Sequence, residues 1–224
     1  MLLGKLIFLS YLLCITFFLV FCVRRPKREL YIIFIYIIYS LVFDLVRTSV
    51  SNVKFAFLIS SLFTIGELSI CSYYFYLIIH SPVLKRIILA VSCIALVIIT
   101  VILIRSEKKG FDSFPASLES VTFILYSIIY FFEQINRPQQ IFIYSSPNFW
   151  IVLGIMVYMS GTLFLFIIAN NLSENELNKY WIINNISNLI TNLSFSIAFF
   201  QNRNASRVSL YHKSFNSNDS LEKL

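Results

Sequence analysis

The stretch ILAVSCIALVIITVILI, residues 88–104, decides the fold, because none of its side chains carries a charge. Together with the residues before it, this apolar segment runs from Val83 to Ile104. About 20 consecutive apolar residues are enough for an α-helix to cross the hydrocarbon core of a bilayer. Lys85 and Arg86 stand near the start of the segment, where a membrane helix would meet water. The segment therefore predicts a transmembrane helix.

Six more apolar segments occur along the chain, and they predict an all-α integral membrane bundle of about seven transmembrane helices. The five prolines all fall in loops or at helix starts, where a missing backbone N–H costs little. This domain occupies residues 1–204, and the Ser- and Asn-rich residues 205–224 are predicted to form a short disordered cytoplasmic tail. The predicted helices are Leu2–Val23, Leu30–Val50, Phe55–Ile79, Val83–Ile104, Pro115–Ile135, Pro147–Ala169 and Tyr180–Phe200.

The composition of the chain excludes several function classes. Of its 224 residues, 58% are hydrophobic and 13% are charged, whereas soluble domains are about 25% charged. The net charge of +7 comes from basic residues beside apolar segments, so we expect membrane lipid and not nucleic acid as a partner. Because the chain has no zinc, haem, hydrolase or nucleotide-binding motif, we predict no metal, cofactor or catalytic residue.

The distribution of lysine and arginine predicts the orientation of the helices. The basic cluster at residues 24–28 follows the first helix and is expected on the cytoplasmic side. The loop 105–112 is also basic and opposes this assignment, partly offset by Glu107 and Asp112. The prediction is that the N-terminus lies outside and the C-terminus in the cytoplasm.

Four ionisable residues inside predicted helices are candidates for function, because charge in hydrocarbon is costly. Asp44 and Arg47 share a face of the second helix, and Asp44 lies about 21 Å from the inner start of that helix. Glu67 lies about 18 Å from the outer start of the third helix, and Glu119 lies in the outer turns of the fifth. We predict that they line one outward-facing polar cavity that binds a polar or cationic ligand, a proton or an ion. The alternative is a structural Asp44–Arg47 ion pair with a protonated Glu67 hydrogen-bonded between helices.

The seventh predicted helix carries a polar stripe. Asn185, Asn188, Asn192 and Ser196 recur at helical spacing, and lipid cannot satisfy their amides, so this face must contact other helices or water. Interhelical hydrogen bonding is the favoured interpretation. The functional alternative is that Asn185, Asn188 and Asn192 relay a signal towards the cytoplasm.

Two further pairs have structural interpretations. Gly154 and Gly161 lie on the sixth helix and predict a face where another helix approaches closely. Glu133 and Arg137 lie four residues apart at the inner end of the fifth helix, and we interpret them as a solvated interfacial pair.

Three stretches of the chain form a distinctive pattern: FDSFPASLES (111–120), LYSIIYFFE (125–133) and SSPNFWIVLGIMVYMSGTLFLFIIAN (145–170). This pattern resembles that of a group of small multi-pass inner-membrane proteins of bacteroidete-type bacteria, most of them uncharacterised. Glu67 and Glu119 belong to the similar positions. The resemblance implies a bacterial inner-membrane protein. Since this group is often encoded near histidine-kinase signalling genes, it also implies a histidine kinase as protein partner.

These observations favour a sensory or signal-transducing membrane subunit. Because the predicted tail is too short to be an output domain, a signal would pass to a partner through the inner loops. Two other classes remain open: a membrane-embedded enzyme acting on lipid, with two of the carboxylates as acid and base, and a transporter of a small solute or ion. A role without catalysis is favoured over an enzymatic one.

Overall fold

The computed structural model describes residues 2–22, 27–50, 52–105, 113–136, 143–169 and 174–221, which form seven α-helices and no β-strand. A short 3-10 helix, Ile143–Ser145, precedes the sixth. The predicted all-α fold is confirmed. The helices are α1 (Leu2–Phe21), α2 (Arg28–Ser49), α3 (Val53–Ile78), α4 (Pro82–Arg105), α5 (Ser113–Ile135), α6 (Pro147–Ala169) and α7 (Glu174–Leu221).

Helices α1 to α6 are each long and apolar enough to span a membrane. Large apolar side chains cover the outside of the bundle: Leu9 is 61% exposed, Val97 63% and Ile104 78%. A soluble protein avoids continuous apolar surface of this kind, whereas lipid accommodates it. The protein is therefore a helical membrane bundle. α7 does not pass the same test, because its asparagines lower its mean hydropathy.

The predicted bounds of the first six helices agree with the structure to within two residues. Pro82 and Pro147 begin α4 and α6, and Pro115 lies in the first turn of α5, where proline fits the helix. The loop 106–112, Arg137 and most of the basic cluster at 24–28 lie outside the described residues.

α7 differs from its prediction at both ends. It begins at Glu174 and continues as helix to Leu221, through most of the segment 205–224 that the composition predicts as a disordered tail. An α-helix satisfies its own backbone hydrogen bonds, so it does not have to end where the apolar pattern ends. Its side chains beyond Asn202 fall outside the description.

Six of the helices form a ring. In the order α1, α2, α3, α5, α6 and α7, each packs against the next, and α7 closes the ring on α1. α4 lies outside the ring, against α3 and α5. We name the two ends of the bundle by their connections: the α2–α3 end, near Val50, and the α3–α4 end, near Ser81.

α6 and α7 pack closely at two glycines, which confirms the prediction for this face. A Cβ atom at Gly154 would lie 3.1 Å from the Cβ of Ser194 and 3.4 Å from the Cα of Thr191. A Cβ atom at Gly161 would collide with the Ser187 hydroxyl. The Thr191 hydroxyl also donates a hydrogen bond to the Gly154 carbonyl, at 2.9 Å.

Aromatic side chains fill the interior of the bundle towards the α3–α4 end. The rings of Phe18 and Phe34 stack at 3.9 Å between centroids, and Phe199 meets Phe18 edge-on at 5.3 Å. Phe75 and Phe123 are fully buried and stack at 6.1 Å. Dense packing of this kind fills most of this half of the ring, in which the polar side chains of Gln134 and Asn202 are also buried.

Glu133 closes the connection between α3 and α4. Its carboxylate accepts hydrogen bonds from the backbone N–H groups of His80, at 3.0 and 3.1 Å, and Ser81, at 2.8 Å. These donors precede the first turn of α4, where a helix has no backbone acceptors for its N–H groups. The carboxylate therefore caps α4, a role that the predicted surface pairing with Arg137 did not include.

A polar cavity at the α2–α3 end

A cavity of about 160 Å³ lies inside the ring, in the half towards the α2–α3 end. All six ring helices contribute residues to the wall of the cavity. None of the described lining residues comes from α4. The polar and charged side chains that line it are Tyr11, Tyr36, Ser40, Asp44, Arg47, Ser60, Thr64, Glu67, Glu119, Ser120, Tyr158, Thr162, Trp181, Asn184, Asn185 and Asn188.

The structure brings together all four residues that were predicted from the sequence to form a ligand site. Asp44, Arg47, Glu67 and Glu119 line this one cavity, although they come from three different helices. Glu67 and Glu119 are buried, at 3% and 4% exposure, whereas Asp44 and Arg47 are exposed and lie towards the opening. That they bind a ligand remains a prediction.

Glu67 is held by a tyrosine of the neighbouring helix. The hydroxyl of Tyr36 on α2 donates a hydrogen bond of 2.6 Å to Oε1 of Glu67 on α3. This length lies within the usual range of an O–H···O hydrogen bond. Tyr36 is itself buried, with its ring edge-on to Phe195 at 6.2 Å. The Glu67 carboxyl group is thus fixed in position at the floor of the cavity.

Asp44 and Arg47 have different partners, so the structural ion pair considered from the sequence is not found. Tyr11 of α1 donates a hydrogen bond to Oδ2 of Asp44 at 3.0 Å. The Arg47 guanidinium lies 5.2 Å from the centroid of the Trp181 ring, within the range of a cation–π contact. At the opposite end of the bundle, Nδ1 of His80 lies 4.0 Å from Oε2 of Glu133.

The polar stripe of α7 connects the cavity to the interior of the bundle. Asn188 donates a hydrogen bond to the Tyr11 hydroxyl at 3.1 Å, and Asn192 donates to the Asn188 side chain at 2.9 Å. Asn192 also donates to the Ser10 hydroxyl at 2.8 Å. Since Tyr11 donates to Asp44, a continuous hydrogen-bonded path runs from Asp44 through Tyr11 and Asn188 to Asn192. We call this the α7 path.

Asn185 is not part of the α7 path. It lines the cavity, one helical turn before Asn188, and makes none of the hydrogen bonds described for Asn188 and Asn192. The stripe therefore faces other helices and the cavity, as the hydrogen-bonding interpretation predicts. Whether these asparagines relay a signal remains a prediction.

Two cysteines extend the contact between α1 and α7 beyond the path. The Cys14 thiol donates to the backbone carbonyl of Asn192 at 2.8 Å and lies 3.2 Å from the Ser196 hydroxyl. Nearer the α3–α4 end, the Cys22 thiol lies 3.7 Å from the Phe199 carbonyl and from the Asn202 amide. These small buried side chains let the two helices pack closely over most of the bundle.

Glu119 differs from the other two acids of the cavity. Its Oε1 atom is buried and has no hydrogen-bond partner in the described part of the protein. The hydroxyl of the neighbouring Ser120 instead donates a hydrogen bond to the Ala116 carbonyl, and it lies 3.5 Å from the Thr162 hydroxyl. Buried polar atoms are usually paired, so this carboxyl group is a place where the cavity can accept a donor.

The sequence analysis missed the tyrosines of the site. Tyr36 could have been found, because Tyr36, Ser40 and Asp44 recur every four residues and therefore share a face of α2. Tyr11 gives no comparable signal, since its partners Asp44 and Asn188 lie on other helices.

No protein-family model, no curated protein and no solved structure matches this chain.

Proposed function

We propose that this protein is a sensory, signal-transducing membrane subunit whose polar cavity binds a small ligand. The observation that carries the proposal is the α7 path, which joins the cavity residue Asp44 to Asn192 in the interior. A ligand that bonds to Asp44 or Tyr11 competes directly with the first hydrogen bonds of this path. Ligand binding is thereby coupled to the packing of a whole helix.

The packing of α7 suits such a response. Helix shifts of about 1–2 Å are a common form of signal transmission in proteins. α7 contacts α6 through Gly154 and Gly161 and contacts α1 through Cys14 and Cys22. These small residues let a smooth helix face slide, while the hydrogen bonds of Asn188 and Asn192 select between discrete positions.

The same proposal includes an orientation, a location and a partner. The cavity opens outward from the bacterial inner membrane, with the C-terminus of α7 in the cytoplasm and lipid around the bundle. The basic residues near 24–28 support this orientation. A histidine kinase that contacts the cytoplasmic end of α7 would receive the signal, a partner suggested by the resemblance to bacteroidete membrane proteins.

Two features favour a sensor over the other classes considered. A carrier must open its site to both faces of the membrane, whereas aromatic packing around Phe18 and Phe75 fills the opposite half of this bundle. A lipid-acting enzyme needs carboxylates within reach of lipid, whereas Glu67 and Glu119 are buried inside the ring.

Hydrogen exchange on the full chain in nanodiscs tests this proposal. A panel of small amines, amino acids, sugars and carboxylic acids is first screened for thermal stabilisation. With a stabilising solute bound, we expect altered backbone exchange in α7 beyond Asn192, far from the cavity. Asn192→Leu, which breaks the path at a residue that does not line this cavity, should bind the same solute but lose the distant response.

Thr191→Val is the matched control, because it removes a hydrogen bond between α7 and α6 that lies outside the path. This variant should keep the distant response. An equal response in Asn192→Leu would refute the coupling. Accumulation of the solute inside sealed vesicles would identify a transporter instead, and a purified histidine kinase that fails to bind the full chain would refute the proposed partner.

A further inference from the structure

The carboxyl group of Glu119 is the unused acceptor of the cavity. Asp44 and Glu67 each accept a hydrogen bond from a tyrosine, whereas Oε1 of Glu119 has no partner among the described residues. At 4% exposure, Glu119 has lost nearly all contact with bulk solvent. A buried acceptor without a donor is costly, so a ligand that supplies a donor at this point gains affinity.

The charges around the cavity favour a positively charged ligand. Three carboxyl groups and one guanidinium group line it. The guanidinium of Arg47 lies over the Trp181 ring near the opening. Apart from Arg47, no described lining residue is cationic. Acidic groups therefore outnumber basic groups in the cavity, and such an excess in a low-dielectric site attracts cations.

Aromatic faces complete the arrangement. Phe43, Phe63 and Tyr158 line the cavity, and the rings of Phe43 and Phe63 pack together at 5.7 Å between centroids. Aromatic rings attract ammonium groups through their negative faces and also cover the methylene groups of an organic cation. A hydrated inorganic ion would gain little from such walls.

We propose that the cavity binds a small organic cation with a primary or secondary ammonium group, which donates hydrogen bonds to Glu119. This inference rests on the proposed ligand-binding role and names the ligand class. The cavity has a volume of about 160 Å³, which is about that of five water molecules at roughly 30 Å³ each. The ligand is accordingly about the size of a short aliphatic amine or diamine.

Matched pairs of amines and alcohols test the proposal with the full chain in nanodiscs. The probes are ethanolamine with ethylene glycol and putrescine with 1,4-butanediol, together with succinate and magnesium chloride, at millimolar concentrations. Calorimetric titration and thermal stabilisation are the readouts. We expect the amines to bind and to stabilise the protein, and the diols, succinate and magnesium to have no effect.

Substitutions locate the binding group. Glu119→Gln should weaken amine binding roughly tenfold or more, whereas Glu133→Gln, at the opposite end of the bundle, should leave it unchanged. A second variant, Ala116→Leu, fills the cavity one turn from Glu119 without changing a charge, and it should also abolish binding. It keeps the test decisive if Glu119→Gln does not fold.

The outcomes separate this inference from the broader proposal. Binding of a diol, succinate or magnesium in place of the amines would overturn the organic-cation inference and leave a ligand-binding cavity. Equal amine affinity in wild type and Glu119→Gln would overturn the role of Glu119, as would the absence of any amine binding. Amine binding with no change in α7 would instead refute the sensory proposal alone.

Discussion

At the scale of single residues, the contact that shapes the cavity is the hydrogen bond from Tyr36 to Glu67. Tyr36→Phe removes this donor and leaves the buried carboxyl group unpaired. We expect the variant to be less stable by about 1 kcal/mol, within the range of interhelical hydrogen bonds in membranes and of unpaired buried groups. Unfolding in mixed detergent micelles, followed by tryptophan fluorescence, measures the difference.

Tyr73→Phe is the control for this measurement. Tyr73 is 52% exposed on the same helix as Glu67, so loss of its hydroxyl should leave the stability within error of the wild type. If both tyrosine variants lost the same stability, the Tyr36–Glu67 bond would make no specific contribution.

At the scale of elements, the close contact between α6 and α7, called the seam here, depends on the absence of side chains at Gly154 and Gly161. Gly154→Ala would push against the Ser194 side chain and the Thr191 backbone. We expect a loss of about 1–3 kcal/mol from overpacking, measured by the same unfolding assay. The displacement of α7 should also weaken the hydrogen bond from Thr191 to the Gly154 carbonyl.

Gly4→Ala gives the matched control on another helix. Nothing lies within 4 Å of a Cβ atom at Gly4, and alanine favours helix over glycine by roughly 1 kcal/mol. This variant should be as stable as the wild type or slightly more stable. A Gly154→Ala protein of wild-type stability would contradict close packing at the seam.

At the scale of the whole molecule, α7 decides whether the chain crosses the membrane six or seven times. It fails the hydropathy test, yet its contacts run from Trp181 to Asn202, roughly 30 Å at the rise of an α-helix. That length matches a bilayer core. We predict seven crossings, because Tyr11 and Ser10 of α1 accept hydrogen bonds from Asn188 and Asn192, which lipid could not do.

Reporter fusions at the two termini test this count. An odd number of crossings places the termini on opposite sides, so a C-terminal green fluorescent protein should fluoresce and a C-terminal alkaline phosphatase should be inactive. Cysteine labelling of an N-terminal tag should succeed from outside intact cells. Both termini on one side would mean that α7 does not cross the membrane.

The sequence alone determined the helical membrane fold, because the preference of about 20 apolar residues for hydrocarbon is a property of each segment by itself. The sequence also identified candidate site residues, since the cost of a charge in lipid depends only on its place within such a segment. These residues are Asp44, Arg47, Glu67 and Glu119. The sequence also predicted the close approach at Gly154, because a residue without a side chain lets another helix come near.

Only the tertiary structure decided how these residues are paired. Asp44 bonds to Tyr11 rather than to Arg47, and Arg47 lies over Trp181. The first contact joins the consecutive helices α1 and α2, and the second joins α2 to α7, far along the chain. Periodicity reports which residues share a face of one helix, but it carries no information on which helices become neighbours. The order of the ring, with α7 closing on α1 and α4 outside, therefore had to come from the packing of side chains.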